Sequence, residues 1–144
     1  MTTSKNVPET IFSLTRSYRG AIKKAINANE LGLNGMIVRC LHIIQDSPQC
    51  TANTIVTRMG RDKAQIARLV KEMIASELIS KHPNPEDKRS QLLVLSLQGK
   101  SLMEQIKVAE TEIDRQMRAG LTDEEVETFQ RVAAVMANNL RNTD

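Results

Sequence analysis

The strongest constraint on this sequence lies between Asp62 and Gly99, where the hydrophobic pattern changes period twice. Ile66, Leu69, Val70 and Met73 recur at steps of three and four, which predicts a helix with one apolar stripe. Leu78 to Pro83 and Ser90 to Leu95 then read as strands. Between them, Asn84-Pro85-Glu86-Asp87-Lys88-Arg89 is a charged turn rich in loop formers. At Ser96 the period switches back. Ser96 can cap a helix in which Leu102, Ile106, Ala109, Ile113 and Met117 keep helical spacing as far as Gly120. A helix running directly into a charged hairpin, and a hairpin running directly into a helix, leave few folds open.

The rest of the chain reads as helix. Ile11, Leu14, Tyr18, Ile22 and Ala25 share one face behind a cap formed by Asn6 and Glu9, with Pro8 tolerated in the first turn. Asn34 can cap a second helix whose Met36, Ile37, Cys40, Leu41, Ile43 and Ile44 leave little polar surface. It is the expected central element, ended by Asp46-Ser47-Pro48. Thr51 opens a short third helix through Met59, with Ile55, Val56 and Met59 inward, and Gly60 breaks it before Asp62 caps the next. Two short helices around a tight turn are the helix-turn-helix pattern. Thr122 and Glu125 form a capping box for a last helix, whose Val126, Phe129, Ala133, Met136 and Leu140 alternate steps of three and four.

The expected fold class is therefore mainly α with a small β-wing: a winged helix-turn-helix over residues 33–96, and long terminal helices over 1–32 and 97–144 forming a dimerisation region. The terminal seam asks for a partner helix, and a homodimer is expected through Ile11, Leu14, Ile113, Met117, Val126, Phe129, Ala133, Met136 and Leu140. At 144 residues the chain can bury roughly 68–70% of its unfolded surface without a metal or disulfide. With 40% hydrophobic residues but only 2% aromatics, aliphatic side chains and methionine must fill the core. Met36, Met59, Met73, Met103, Met117 and Met136 all fall on the predicted core stripes.

Charge is distributed unevenly. Residues 51–90 carry 8 basic and 5 acidic side chains, whereas residues 91–144 carry 6 and 9, as expected if one end faces phosphate and the other does not. On the helix after Asp62, Ala64, Arg68, Lys71 and Ala75 fall opposite the apolar stripe. Recognition helices place their first turns against base edges in the major groove, which singles out Lys63, Ala64, Gln65 and Arg68. Gln pairs bidentately with adenine, Arg with guanine, and Ala approaches a thymine methyl. Arg89 on the hairpin can enter a narrow minor groove, and Asp87 can hold its guanidinium by a charge-assisted pair. The DNA-facing set is completed by Thr51, Lys71 and Lys88. Taken alone, the helix face could equally be ordinary solvated surface, and the Asp87–Arg89 pair a surface ion pair worth about 0–1 kcal/mol.

Other chemistries find little support. His42 and His82 lie near no recognisable Ser or Cys signature, so no catalytic residue and no enzyme activity are expected. Cys40 and His42 are two apart and point to different sides of a helix, and no metal or other cofactor is expected. Cys40 reads as core. Cys50 precedes the third helix, whose N-terminus could lower its thiol pKa and make it an oxidation sensor. No run of about 18 apolar residues exists and no signal peptide precedes the first helix, so a cytoplasmic protein without membrane contact is expected.

Arg61-Asp62-Lys63-Ala64-Gln65-Ile66-Ala67-Arg68-Leu69-Val70, Pro85-Glu86-Asp87-Lys88-Arg89-Ser90 and Leu95-Ser96-Leu97-Gln98-Gly99 together resemble the MarR family of bacterial winged-helix transcription regulators. The likeness covers nearly the whole chain, and the Asp-x-Arg wing followed by Leu-Ser-x-x-Gly is its specific part. The resemblance implies a homodimer interlocked through the first, fifth and sixth helices, with the fourth helix in the major groove and the wing in the flanking minor groove. Arg68 and Arg89 match the family's DNA-contacting arginines, and Asp87 its orienting acid. It also implies a repressor on a pseudo-palindromic operator, released by a small-molecule effector or by cysteine oxidation. A helical dimeric module that sequesters another regulator without its own operator stays open as the alternative. Two positions depart from the family pattern. Glu77 stands where Gly is usual, so a differently shaped corner is expected, and Lys88 replaces a second wing arginine.

Overall fold

The computed structural model describes residues 6–28 and 34–142, so the expected boundary between residues 32 and 33 lies outside the described residues. They form α1 (Val7–Ala28), α2 (Gly35–Asp46), α3 (Ala52–Met59), α4 (Lys63–Ala75), β1 (Ile79–Pro83), β2 (Gln91–Leu95), α5 (Leu97–Arg118) and α6 (Asp123–Arg141). The chain divides into two compact units, Met1–Glu110 and Thr111–Asp144, with α5 running from one into the other.

In the first unit, polar caps fix where each helix begins. Asn6 Oδ1 accepts from the Glu9 N–H at 2.9 Å to start α1, and Asn34 Oδ1 accepts from the Ile37 N–H at 2.9 Å to start α2. Thr51 and Thr54 exchange side-chain and backbone bonds in a capping box for α3, and Asp62 Oδ1 accepts from the Ala64 N–H at 2.8 Å for α4. Gly60 ends α3 at φ +64°, a left-handed conformation that costs glycine nothing.

The expected central role of α2 holds. Val38, Cys40, Leu41, Ile43 and Ile44 are buried and share one core with Ile55 of α3, Ile66, Leu69, Val70 and Met73 of α4, and Met103 and Ile106 of α5. Fully burying a Leu or Ile contributes about 1.5–3 kcal/mol, so Leu41, Ile43, Ile55 and Ile66 form the centre of gravity of this unit. β1 and β2 are antiparallel, with Ile79 opposite Leu95 and Pro83 opposite Gln91. Leu93 and Leu95 point inward by strand alternation, and the Leu93 N–H also donates to the Cys50 carbonyl at 2.8 Å, tying the segment before α3 to the sheet.

Met36, Met59, Met73 and Met103 join this core or pack against it, as their spacing predicts. Met117 and Met136 do not: both are exposed. Helical spacing marks a face but cannot say whether the same chain covers it.

In the second unit, α5 continues to Arg118, Gly120 turns the chain at φ +83°, and the expected box of Thr122 and Glu125 starts α6. Arg115 bonds Glu112 at 2.6 Å and holds that carboxyl below its usual range, while Arg118 bonds Asp114 at 2.8 Å. None of the residues of α6 is buried.

Candidate nucleic-acid interface

α4 stands on the core by Ile66, Leu69, Val70 and Met73, and that anchorage decides what it can offer outward. At about 100° per residue, Lys63, Ala64, Arg68 and Lys71 face solvent. The face carries three cations and is low in relief at Ala64. Gln65 is placed differently: it is half-buried, with its Nε2 donating to Met36 Sδ at 3.6 Å, so its amide is turned toward α2. The Thr51 hydroxyl is committed to the α3 cap, accepting from the Thr54 N–H at 3.3 Å.

The wing loop is ordered by its own short polar side chains. Asn84 Oδ1 accepts from the Glu86 N–H at 3.0 Å, Asn84 Nδ2 donates to Ser90 Oγ at 3.0 Å, and Asp87 Oδ1 accepts from the Arg89 N–H at 3.0 Å. Asp87 therefore fixes the backbone of Arg89 more tightly than its guanidinium. The expected charge-assisted fork is a single Nε–Oδ1 approach of 3.7 Å, and the Arg89 side chain is 95% exposed. Lys88 is exposed beside it.

The corner between α4 and the wing answers the question posed by Glu77. Leu78 N–H bonds the Met73 carbonyl at 2.9 Å and Glu77 N–H bonds the Ile74 carbonyl at 3.0 Å, the paired closure of a Schellman motif. Glu77 takes the left-handed position at φ +62°. The corner thus keeps the shape a glycine would give it, and the expectation of a different one is corrected. Burial of Met73 and Leu78 on either side of the motif holds Glu77 in that conformation despite its Cβ.

Of the residues expected at a dimer interface, Ile11 and Leu14 are exposed on α1, and Met117, Phe129, Met136 and Leu140 are exposed on α5 and α6, Phe129 at 57%. Val126 and Ala133 are half-buried. Ile113 is only 5% exposed, so its side chain is covered within the single chain.

Both thiols are buried. Burial pushes Cys40 up to about 11, and raises Cys50 as well, against the lowering effects of Arg58 and the Thr54 hydrogen bond. The sequence-based expectation of a lowered Cys50 pKa is therefore corrected: loss of water outweighs the neighbouring Arg58 charge and the Thr54 hydrogen bond. Sequence reasoning also missed the pair of His42 Nε2 and Glu110 Oε2 at 2.9 Å, which joins α2 to α5 across 68 residues of chain. No local pattern announces it. Among the described residues no cluster of His, Cys, Asp or Glu could hold a metal ion, and no helix is long and apolar enough to cross a membrane.

Comparison with known proteins points one way. The MarR family model matches residues 31–90. The uncharacterised HTH-type transcriptional regulator YdgJ of Bacillus subtilis strain 168 is 24% identical over 113 residues, covering 78% of this chain and 69% of that protein. Among solved structures, a MarR variant from E. coli complexed with operator DNA superposes with a TM-score of 0.79 at 18% identity, over 90% of this chain and 91% of that one. BpsR of Bordetella bronchiseptica, described for regulation of its DNA binding by 6-hydroxynicotinic acid, gives 0.75 at 20% identity over 100% and 99%.

Proposed function

Because this chain is of the MarR family through its winged-helix region, residues 31–90, we propose that it is a sequence-specific, double-stranded DNA-binding transcription regulator. The observation that carries the reading is the outer face of α4. Lys63, Arg68 and Lys71 are held rigidly outward by a fully apolar inner stripe, on the same core that presents the exposed Arg89 of the wing. Arg68 reads a base in the major groove, Lys63 and Lys71 neutralise phosphates, and Arg89 enters the flanking minor groove.

The exposed apolar residues of α1, α5 and α6 support a homodimer, and a two-fold dimer reads a pseudo-palindrome with half-sites roughly 34–36 Å apart. The E. coli neighbour solved with operator DNA supports the operator, and BpsR, whose DNA binding is regulated by 6-hydroxynicotinic acid, supports control by a small ligand, which we take to release a repressor.

Selection of a duplex from a random-sequence pool, followed by footprinting, tests the reading. The selected site should be pseudo-palindromic, and log K should fall with log salt at a slope near −0.9 per phosphate neutralised. Arg68→Ala should cost about 1–3 kcal/mol and relax preference at one or two positions, whereas Arg89→Ala should weaken binding mainly at AT-rich flanks. Flat binding to every sequence, unchanged by Arg68→Ala, would instead favour a module that sequesters another regulator.

A further inference from the structure

The end of α4, the base of the wing and the start of α5 meet at Ser96. Its hydroxyl donates to the Glu77 carbonyl at 2.6 Å and accepts from the Gly99 N–H at 2.9 Å, while its own N–H donates to the Leu78 carbonyl at 3.0 Å. Gly99 closes the same joint from the other side. A Cβ at that position would stand 2.1 Å from the Leu78 carbonyl oxygen, so only glycine lets the first turn of α5 come this near.

These bonds close a ring. From α4 the chain passes through Glu77 and Leu78 into β1, crosses the wing loop, returns along β2 to Leu95, and at Ser96 bonds back to Glu77. Without that last bond, β1 is still tied to α4 by the Leu78 N–H on the Met73 carbonyl and by the shared core, and the end of β2 reaches that corner only through the Ser96 N–H on the Leu78 carbonyl. With it, the end of β2 is also bonded directly to Glu77, the residue that closes α4.

We infer that Ser96 is a positioning residue for DNA recognition, locking the recognition helix and the wing into one body that meets two grooves in a fixed register. The inference rests on the DNA-binding reading above. Two contacts on one rigid body assist each other, because making the first places the second at high effective concentration. A loosened wing samples more orientations and loses that assistance. Phosphate contacts made without a fixed register do not need it, so binding to arbitrary sequence is insensitive to Ser96.

The test uses the full chain and a duplex that the wild-type protein selects from a random pool, beside a scrambled duplex of the same composition. Affinities for both are measured at one salt concentration and at a temperature where circular dichroism shows each variant folded. Ser96→Ala is expected to lower the selected-over-scrambled preference about tenfold while scrambled affinity stays within about twofold, and Ser96→Thr, which keeps the hydroxyl, restores the preference. Should Ser96→Ala fold poorly, the double variant Ser96→Ala/Glu77→Gly relieves the left-handed corner and must show the same lowered preference. Glu77→Gly alone, which keeps the carbonyl, must retain the wild-type value. Wild-type preference in Ser96→Ala, or equal loss on both duplexes, overturns the inference and leaves the DNA-binding reading standing. A wild-type protein that selects no duplex overturns both.

Discussion

Replacing Glu77 by glycine should make this protein more stable, although it removes an entire side chain. Glu77 sits at φ +62° immediately beyond α4, and a residue with a Cβ costs about 1–2 kcal/mol in that region. Glycine removes this cost but widens the unfolded ensemble, which takes back about 0.4–1 kcal/mol. A second effect is electrostatic. The carboxylate lies beside the negative end of the α4 dipole, an unfavourable placement worth about 0.3–1 kcal/mol at low salt and less as salt is added. Glu77→Ala separates the two, since it removes the charge and keeps the Cβ. Glu77→Gly should exceed Glu77→Ala by about 0.8 kcal/mol at the middle of these ranges and by at most about 1.6 kcal/mol, or roughly 2–3 °C and at most about 6 °C in Tm at about 2–4 °C per kcal/mol for a chain of this size. Thermal denaturation by circular dichroism, at one protein concentration, measures both variants at low and high salt. The gain from alanine should shrink with salt, and the further gain from glycine should not. A glycine variant melting at or below the alanine variant would refute the reasoning, because it would mean that the left-handed conformation costs no more here than the unfolded-chain entropy that glycine adds.

Gly99→Ala should act in the opposite direction, destabilising by at least about 1–3 kcal/mol, since its Cβ would meet a backbone carbonyl that cannot turn aside. Urea unfolding should show a lower midpoint with an unchanged m-value. Cys40, raised to about 11 by burial, should resist alkylation at pH 8 in the folded protein and react readily in urea, with mass spectrometry as the readout. Because the folded thiol holds its proton more tightly than the unfolded one, its contribution to stability is fully present below about pH 9 and is lost as pH rises toward 11. Phe129→Asp, placing a charge on the exposed seam of α6, should shift sedimentation toward the monomer; an unchanged dimer would remove Phe129 from the interface.

Much of this fold was written locally. Asn34, Thr51, Asp62 and the Thr122–Glu125 box each cap the helix their position predicts, because a capping side chain reaches only two or three residues along its own chain. The same is true of the apolar stripe of α4 and of the alternation that turns Leu93 and Leu95 inward. From that stripe alone it followed that Arg68 and Lys71 face outward.

What depended on distant parts of the chain was not legible in the same way. The direction of Gln65 was decided by Met36, and the pairing of His42 by Glu110, residues that only the packing of α2 brings near. The Leu-Ser-x-x-Gly run could be read as a cap and a family signature, but not as the joint it makes with Glu77 and Leu78. Cys50 shows the limit most clearly. Its place before a helix suggested a lowered pKa, whereas the side chains that exclude water from it raise the thiol instead. Periodicity and capping are properties of neighbouring residues and are fixed once the sequence is. Burial, close backbone approach and the strain tolerated at Glu77 are set by which segments finally pack together, and for those the tertiary structure was needed.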